Sequence, residues 1–435
     1  MKIGIQTWGS HGDIRPLLAL AEGLQAAGNQ VHLVLTCVDS DVYAGVVSQN
    51  GVRITVLASP VLDPAAATEL SRLTARASNP MKQVRTVLDM AFTPVEDAMF
   101  DAARRLCAES DVVIGHYFMH PLQIAAEALG RPYVSVLLTH AAVASACHHP
   151  VNGGSLGKPV NRALWWLVRT LLNRTFLAAP NRLRARLGMP AVRDVMRDIW
   201  LSPHLALVAV SPRICQVAPD WPASVRACGF LDTPNLAIEG ALSPALEEFL
   251  AAGEAPVYMT FGSWMPLDVR EQGEALALLT QAAALAGCRA IVQAPRAREC
   301  GYASDERTLF VGAAPHHAIF PRCRAVLHHG GAGTTQSAAL AGQPSIVVAF
   351  LNEQEHWAGE LRRLGVAGRP AKRRSATPRL LARRIRAVLA SQAMAERAAA
   401  LGAAMRQENG VAEAVRLVTE RFASLAGAAA VMARA

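Results

Sequence analysis

The eight residues His328-His329-Gly330-Gly331-Ala332-Gly333-Thr334-Thr335 lie between an apolar run, Ala325–His328, and a stretch in which Ala338 and Ala341 fall on one helical face. That is a strand, a glycine-rich turn and a helix. Glycines in such a turn let backbone N–H groups swing toward an anion, and the positive end of the helix dipole adds to the attraction. Thr334 and Thr335 can add hydroxyl donors. The turn suits a phosphate or diphosphate. A turn that only caps a helix is the plainer alternative, and the adjacent histidines and threonines weigh against it.

Working outward, the same alternation continues on both sides. Upstream stand an apolar run at Val257–Phe261, the turn Gly262-Ser263, helical spacing over Ala275–Ala286, and short runs at Ala290–Gln293 and Leu309–Val311; downstream comes Ser345–Ala349. The first half repeats the theme. Residues 3–8 are apolar, Gly9-Ser10-His11-Gly12-Asp13 breaks the run, and Leu17, Leu20 and Leu24 recur at helical spacing between Pro16 and Ala27. Runs at Val31–Thr36, Arg53–Leu57, Val112–Gly115 (ending in His116) and Tyr133–Leu138 follow. Apolar strands alternating with helices predict α/β architecture, with two doubly wound parallel-sheet units facing a central cleft. Pro219, Pro222, Pro234 and Pro244 gather with Gly229 and Gly240 between the halves. The expected partition is residues 1–211, a connection at 212–255, a second unit at 256–405, and a C-terminal helix and tail at 406–435 that crosses back to the first unit.

Composition excludes several classes. The 435 residues are 52% hydrophobic but contain no uninterrupted apolar stretch long enough to span a bilayer. The eight cysteines (Cys37, Cys107, Cys147, Cys215, Cys228, Cys288, Cys300, Cys323) are far apart without a C-x-x-C, against a zinc ribbon or a small disulfide scaffold and for buried thiols in a reducing cytoplasm. Met1-Lys2 leads directly into Ile3-Gly4-Ile5, with no secretory signal pattern. The formal charge of +9 comes from 43 Lys+Arg against 34 Asp+Glu, and ten cations with no acidic residue fall between Arg362 and Arg386. That run reads as a solvated face or a peripheral contact with a membrane rather than a nucleic-acid site.

Three segments carry a family resemblance. Ala314-Pro315-His316 through HHGGAGTT to Ala341-Gly342-Gln343-Pro344 and Glu353-Gln354 resembles the donor-binding signature of family 1 glycosyltransferases, which use UDP- or dTDP-sugars. Gly9-Ser10-His11-Gly12-Asp13-Ile14-Arg15-Pro16 is similar to the acceptor-side loop of the bacterial antibiotic and sterol branch, and Leu183-Arg184-Ala185-Arg186-Leu187-Gly188-Met189-Pro190 is a further segment of that kind. The resemblance implies the GT-B fold and inverting transfer of a glucose-type hexose to a hydroxyl of a hydrophobic or aromatic small molecule or lipid.

It also implies roles. His329, Gly331, Gly333 and Thr334 would hold the donor diphosphate, with Ser263 as a second phosphate contact or, alternatively, a helix cap. Ala314 and His316 match the nucleobase positions, Glu353-Gln354 the pair that binds sugar hydroxyls, and Gln293 is a further donor candidate. Asp13 stands where the branch carries its general base, its alternative being a cap of the following helix; His11 is the rival base. Trp8, His116, Phe118 and Trp264 are expected at the acceptor. Trp165-Trp166, in a helix flanked by Arg162 and Arg169, would line a greasy pocket, meet a membrane or sit in the core. No metal or cofactor is expected, and the Asp39-Ser40-Asp41 pair reads as a turn or a helix cap rather than as a metal pair. The chain is expected to act as monomer or homodimer. A UDP-sugar 2-epimerase or a non-catalytic nucleotide-sugar binder of the same fold are the alternatives, while a dehydrogenase is disfavoured because the first loop lacks G-x-G-x-x-G.

Overall fold

The computed structural model describes residues 1–77, 79–150, 154–232, 242–312 and 315–423. Ala314, expected at the nucleobase, lies outside them. Two parallel sheets organise the chain. The first has seven strands in the order β3-β2-β1-β4-β5-β6-β7: β1 (Lys2–Gly9), β2 (Gln30–Cys37), β3 (Arg53–Ala58), β4 (Val112–His116), β5 (Tyr133–Leu137), β6 (Leu205–Val208) and β7 (Val225–Ala227). The second has six in the order β10-β9-β8-β11-β12-β13: β8 (Val257–Thr260), β9 (Ala290–Gln293), β10 (Thr308–Val311), β11 (Ala325–His328), β12 (Ser345–Ala349) and β13 (Ala371–Lys372). The central strands are buried along their whole length, which is why they read as unbroken apolar runs rather than alternating ones.

In each sheet the order reverses once, between β1 and β4 in the first and between β8 and β11 in the second. Crevices at the carboxyl ends of strands flanking such a reversal are where open α/β sheets bind ligands. The loops leaving those strands are the Gly9–Asp13 turn, the segment after His116, the Gly262-Ser263 turn and the His329–Thr334 turn. The first loop, the His116 segment, the Gly262-Ser263 turn and the glycine-rich turn thus start at one of two switch points, whereas His316 follows β10 and Glu353-Gln354 follow β12.

The stretch 212–255, expected as a connection, holds an element of each half. β7 pairs with β6 at the edge of the first sheet, and helix Pro244–Ala251 packs Leu246, Phe249 and Leu250 against Tyr258 and Ile291 of the second. A three-residue strand among prolines carries too little pattern to be read from the sequence. The halves are also joined directly. Gln336 accepts a hydrogen bond from the Ser211 N–H (2.9 Å) and donates to the Ala209 carbonyl (3.0 Å), both fully buried. Arg363 donates to the Ile214 carbonyl. Helix Gly410–Arg421 lays Ala414 and Val418 into the core formed by β1, β2 and helix His11–Ala26.

The cysteines are all free. No helix among the described residues is long and apolar enough to cross a membrane.

Candidate active site

Asp13 anchors the first wall. The helical spacing read from the sequence begins at Pro16, but the helix begins at His11, which places Asp13 in its first turn. Its Oδ2 accepts from the Ser10 N–H (2.9 Å) and hydroxyl (3.1 Å), while Oδ1 faces Nε2 of His116 at 3.6 Å. The capping and base readings therefore do not compete: one oxygen caps, the other looks into the cleft. Gly9 makes this packing feasible, since at φ +139° a Cβ there would lie 2.3 Å from Asp13 Oδ2. Loss of solvent raises the carboxyl to about 6 against the pull of the two Ser10 bonds. About a third of the side chain stays accessible from the cleft (34%).

His116, expected to touch the acceptor, is instead Asp13's neighbour. It ends β4, is 1% exposed, and burial lowers it to about 3, so it stands beside Asp13 as a neutral imidazole. His11, the rival base, turns Nδ1 to the Tyr43 hydroxyl at 3.1 Å. Asp39 approaches the same corner: burial raises its carboxyl, with the His11 charge opposing and the Asp13 charge reinforcing the rise. Spacing could not reveal this, because β1 and β2 bring Asp39 there from a separate loop.

The second wall is the glycine-rich turn. The His329 ring fills the space that side chains would need at Gly262 and Gly331: a Cβ would lie 2.8 Å from its Cε1 at the first and 2.3 Å from its Nε2 at the second. Both turns must be glycine for the imidazole to lie over the start of helix Ala332–Leu340. Gly331 is the N-cap without a side-chain cap, so the first-turn N–H groups around Gly333 and Thr334 remain available to an anion. Burial lowers His329 to about 4, leaving one ring N–H to donate near neutral pH. Ser263 is exposed in the turn after β8. Gln293, at the end of β9, accepts from the Thr260 hydroxyl (2.6 Å), which itself accepts from the Gly262 N–H (2.8 Å). His316 stacks on Phe320 at 4.4 Å between ring centroids, and burial, with the charge of Arg15 from the first half, lowers it to about 3.

Glu353 lies in the first turn of helix Asn352–Arg363 and is open to the cleft, yet the surrounding protein and the Asp13 charge opposite push it up to about 7. Two carboxylates from different halves thus feel one another. Gln354 spends its carbonyl oxygen on the Phe350 and Leu351 N–H groups (2.6 and 3.2 Å), so its amide nitrogen is what it can still offer a ligand.

The aromatic residues sort differently from expectation. Trp8 is core: it is 6% exposed, donates to the Ala91 carbonyl (3.0 Å) and packs edge-on against Phe92. Period-two alternation along β1 sends its side chain away from the cleft loop. Trp264 packs against Phe350 within the second half. Trp165 is buried and donates to the His148 carbonyl, whereas Trp166 is 70% exposed. Phe118 does line a cavity, of ≈ 330 Å³, together with Phe92, Phe176, Ile199 and Trp200 and with Arg85 and Arg174 at its polar edge. Phe176 and Trp200 were not singled out by sequence, since they come from a helix end and a distant loop. Residues 281–420 match the family model "Erythromycin biosynthesis protein CIII-like, C-terminal domain". Over 436 residues, 97% of each chain, the sequence is 31% identical to the O-mycaminosyltylonolide 6-deoxyallosyltransferase of Streptomyces fradiae. Among solved structures it resembles the kitacinnamycin glycosyltransferase (TM-score 0.70, 19% identity, 97% and 98% of the two chains) and VinC in complex with dTDP (TM-score 0.63, 19% identity, 97% and 99%). These neighbours share the GT-B arrangement of two facing parallel-sheet units.

Proposed function

Because the chain belongs to the GT-B family of antibiotic glycosyltransferases, we propose that it moves a hexose from a dTDP- or UDP-sugar to a hydroxyl of a hydrophobic small molecule, with inversion at the anomeric carbon. The observation that carries this reading is the His329 imidazole lying over the open N-terminus of helix Ala332–Leu340, built by glycines at Gly262 and Gly331.

Asp13 Oδ1 takes the proton of the acceptor hydroxyl as that oxygen attacks the anomeric carbon and the diphosphate departs in line. Charge grows on the departing diphosphate, where the His329 N–H and the helix N-terminus stabilise it more in the transition state than before. We propose that this needs no divalent ion at the diphosphate. Glu353 accepts, and the Gln354 amide donates, toward the sugar hydroxyls.

The aromatic cavity begins at Phe118, two residues beyond His116, whose ring lies 5.6 Å from that of Phe118. An apolar chamber lined by Phe118 suits a hydrophobic acceptor, and an epimerase would have no use for it. The dTDP complex of a neighbour favours dTDP over UDP as the carrier.

The test is a matrix of dTDP- and UDP-hexoses against hydrophobic hydroxylated acceptors, read by mass spectrometry and by anomeric coupling constants. A β-glycoside from an α-linked donor is expected, with turnover unchanged by added Mg²⁺. Retention of configuration, or release of sugar with no acceptor product across the matrix, would refute it.

A further inference from the structure

His140 follows β5 in the first half, whereas His356 and Glu360 lie one turn apart on helix Asn352–Arg363 of the second. All three are buried, at 5%, 5% and 0% exposure. Their ligating atoms converge. His140 Nε2 is 3.1 Å from His356 Nε2 and 4.0 Å from Glu360 Oε2, and one such atom from each residue lies within 4.8 Å of the other two. At that separation the two nitrogens cannot both carry protons, so at least one ring presents its lone pair to the other.

Two imidazoles and a carboxylate are a set that zinc takes. At bond lengths of about 2.0–2.1 Å and tetrahedral angles, two zinc-bound nitrogens sit roughly 3.3 Å apart, close to the spacing present. The carboxylate is already oriented from outside the cluster. Arg363 donates to Oε2 through Nε (3.0 Å) and Nη2 (2.7 Å), and the Gln216 amide donates to both oxygens (2.8 and 3.0 Å). Such outer partners fix the direction of a ligating carboxylate. A small cavity lined by His148, His149, Ser145 and Trp221 adjoins the group and gives a water room to complete the shell.

We infer that His140, His356 and Glu360 bind one Zn²⁺-class ion that ties the loop after β5 to the helix bearing Glu353 and Gln354. Mg²⁺ and Ca²⁺, which require oxygen ligands, are excluded by the two nitrogens. None of the three residues takes part in the transfer steps above, so the site stands whether or not that reading does.

The test uses tag-free, full-length protein stripped with a chelator and then titrated with Zn²⁺ against a chromophoric competitor. In parallel, Co²⁺ is followed by its visible absorption. One equivalent should bind, with the intense bands of tetrahedral Co²⁺. His356→Phe and His140→Gln should abolish binding, Gln216→Ala should weaken it about 10- to 100-fold, and His148→Ala should retain it. Absence of stoichiometric Zn²⁺ and Co²⁺ uptake by the native protein would overturn the inference without reliance on any variant. Undiminished binding in His356→Phe would overturn it equally.

Discussion

Replacing Asp13 by asparagine separates what this carboxylate does for catalysis from what it does to the fold. Asparagine keeps an oxygen that can accept from the Ser10 N–H and hydroxyl, so the helix start survives, but it cannot take a proton. A positioned general base contributes about 10²- to 10⁴-fold, or roughly 2.7–5.4 kcal/mol of barrier, and kcat should fall by that factor while donor KM stays within about twofold. Stability should move the opposite way. The folded-state value of about 6 lies above the ordinary 3.8, so native Asp13 holds its proton more tightly than the unfolded chain does. The resulting stability is present below pH about 4 and is lost as pH rises through about 6. A shift of this size is worth about 3 kcal/mol for a fully buried group, and the 34% accessibility reduces it to roughly 1–2. Asp13→Asn should therefore melt higher than the native protein at pH 8 and alike at pH 4. Native kcat/KM should climb between pH 5, where about one tenth of Asp13 is ionised, and pH 7, with Glu353 staying protonated until Asp13 has lost its proton. The variant should lose that climb. Calorimetry at the two pH values and a pH–rate profile decide the matter: an active Asp13→Asn enzyme, or one destabilised at pH 8, refutes the reasoning.

Gly331→Ala places a methyl group 2.3 Å from His329 Nε2 and should drive the imidazole off the helix start. Protection against thermal unfolding by dTDP should disappear while the melting temperature of the free protein changes little. Gln336→Leu strands the Ser211 N–H and the Ala209 carbonyl at the junction of the halves, at a cost of about 1–3 kcal/mol for each buried group left unpaired; urea unfolding should show the loss. Phe176→Ala enlarges the aromatic cavity without touching Asp13 or His329 and should raise acceptor KM with donor KM unchanged, as initial-rate kinetics would show.

What could be read from the sequence follows from where the information resides. Strands buried on both faces are continuous apolar runs, and the glycine turns at the switch points are local in sequence, so the two-sheet architecture and the strand, glycine turn and helix around His329 are legible. β7 and β13, with three and two residues, carry too short a pattern, and the connection was accordingly misjudged. Trp8 lies at the edge of a loop motif, but the alternation of β1 turns its ring into the core beside Phe92. That His116 meets Asp13 is visible only once β1 and β4 are seen to be adjacent. The group of His140 with His356 and Glu360 joins residues 216 positions apart, and no spacing rule encodes such a meeting.

The cationic run between Arg362 and Arg386 shows how charge in a sequence differs from charge in a fold. Arg363 is bound to Glu360 and to the Ile214 carbonyl, Lys372 to Glu355 at 3.0 Å, and Arg386 to the Leu285 carbonyl at 2.6 Å. Arg374 reaches the Ala77 carbonyl of the other half at 3.0 Å, and the Arg373 guanidinium lies 5.8 Å from the centre of the Phe261 ring. These cations serve as fasteners, two of them between the halves. Arg379 and Arg383 remain exposed on the face of helix Pro378–Leu389 opposite Leu381, Ala382, Ile385 and Val388, the ordinary disposition of an amphipathic surface helix. In the reaction proposed above, the departing diphosphate would instead be addressed by backbone N–H groups and one neutral imidazole. Such groups recognise a diphosphate by shape and dipole, so they need no excess of positive charge, and the charge that grows as the donor breaks is what they stabilise most.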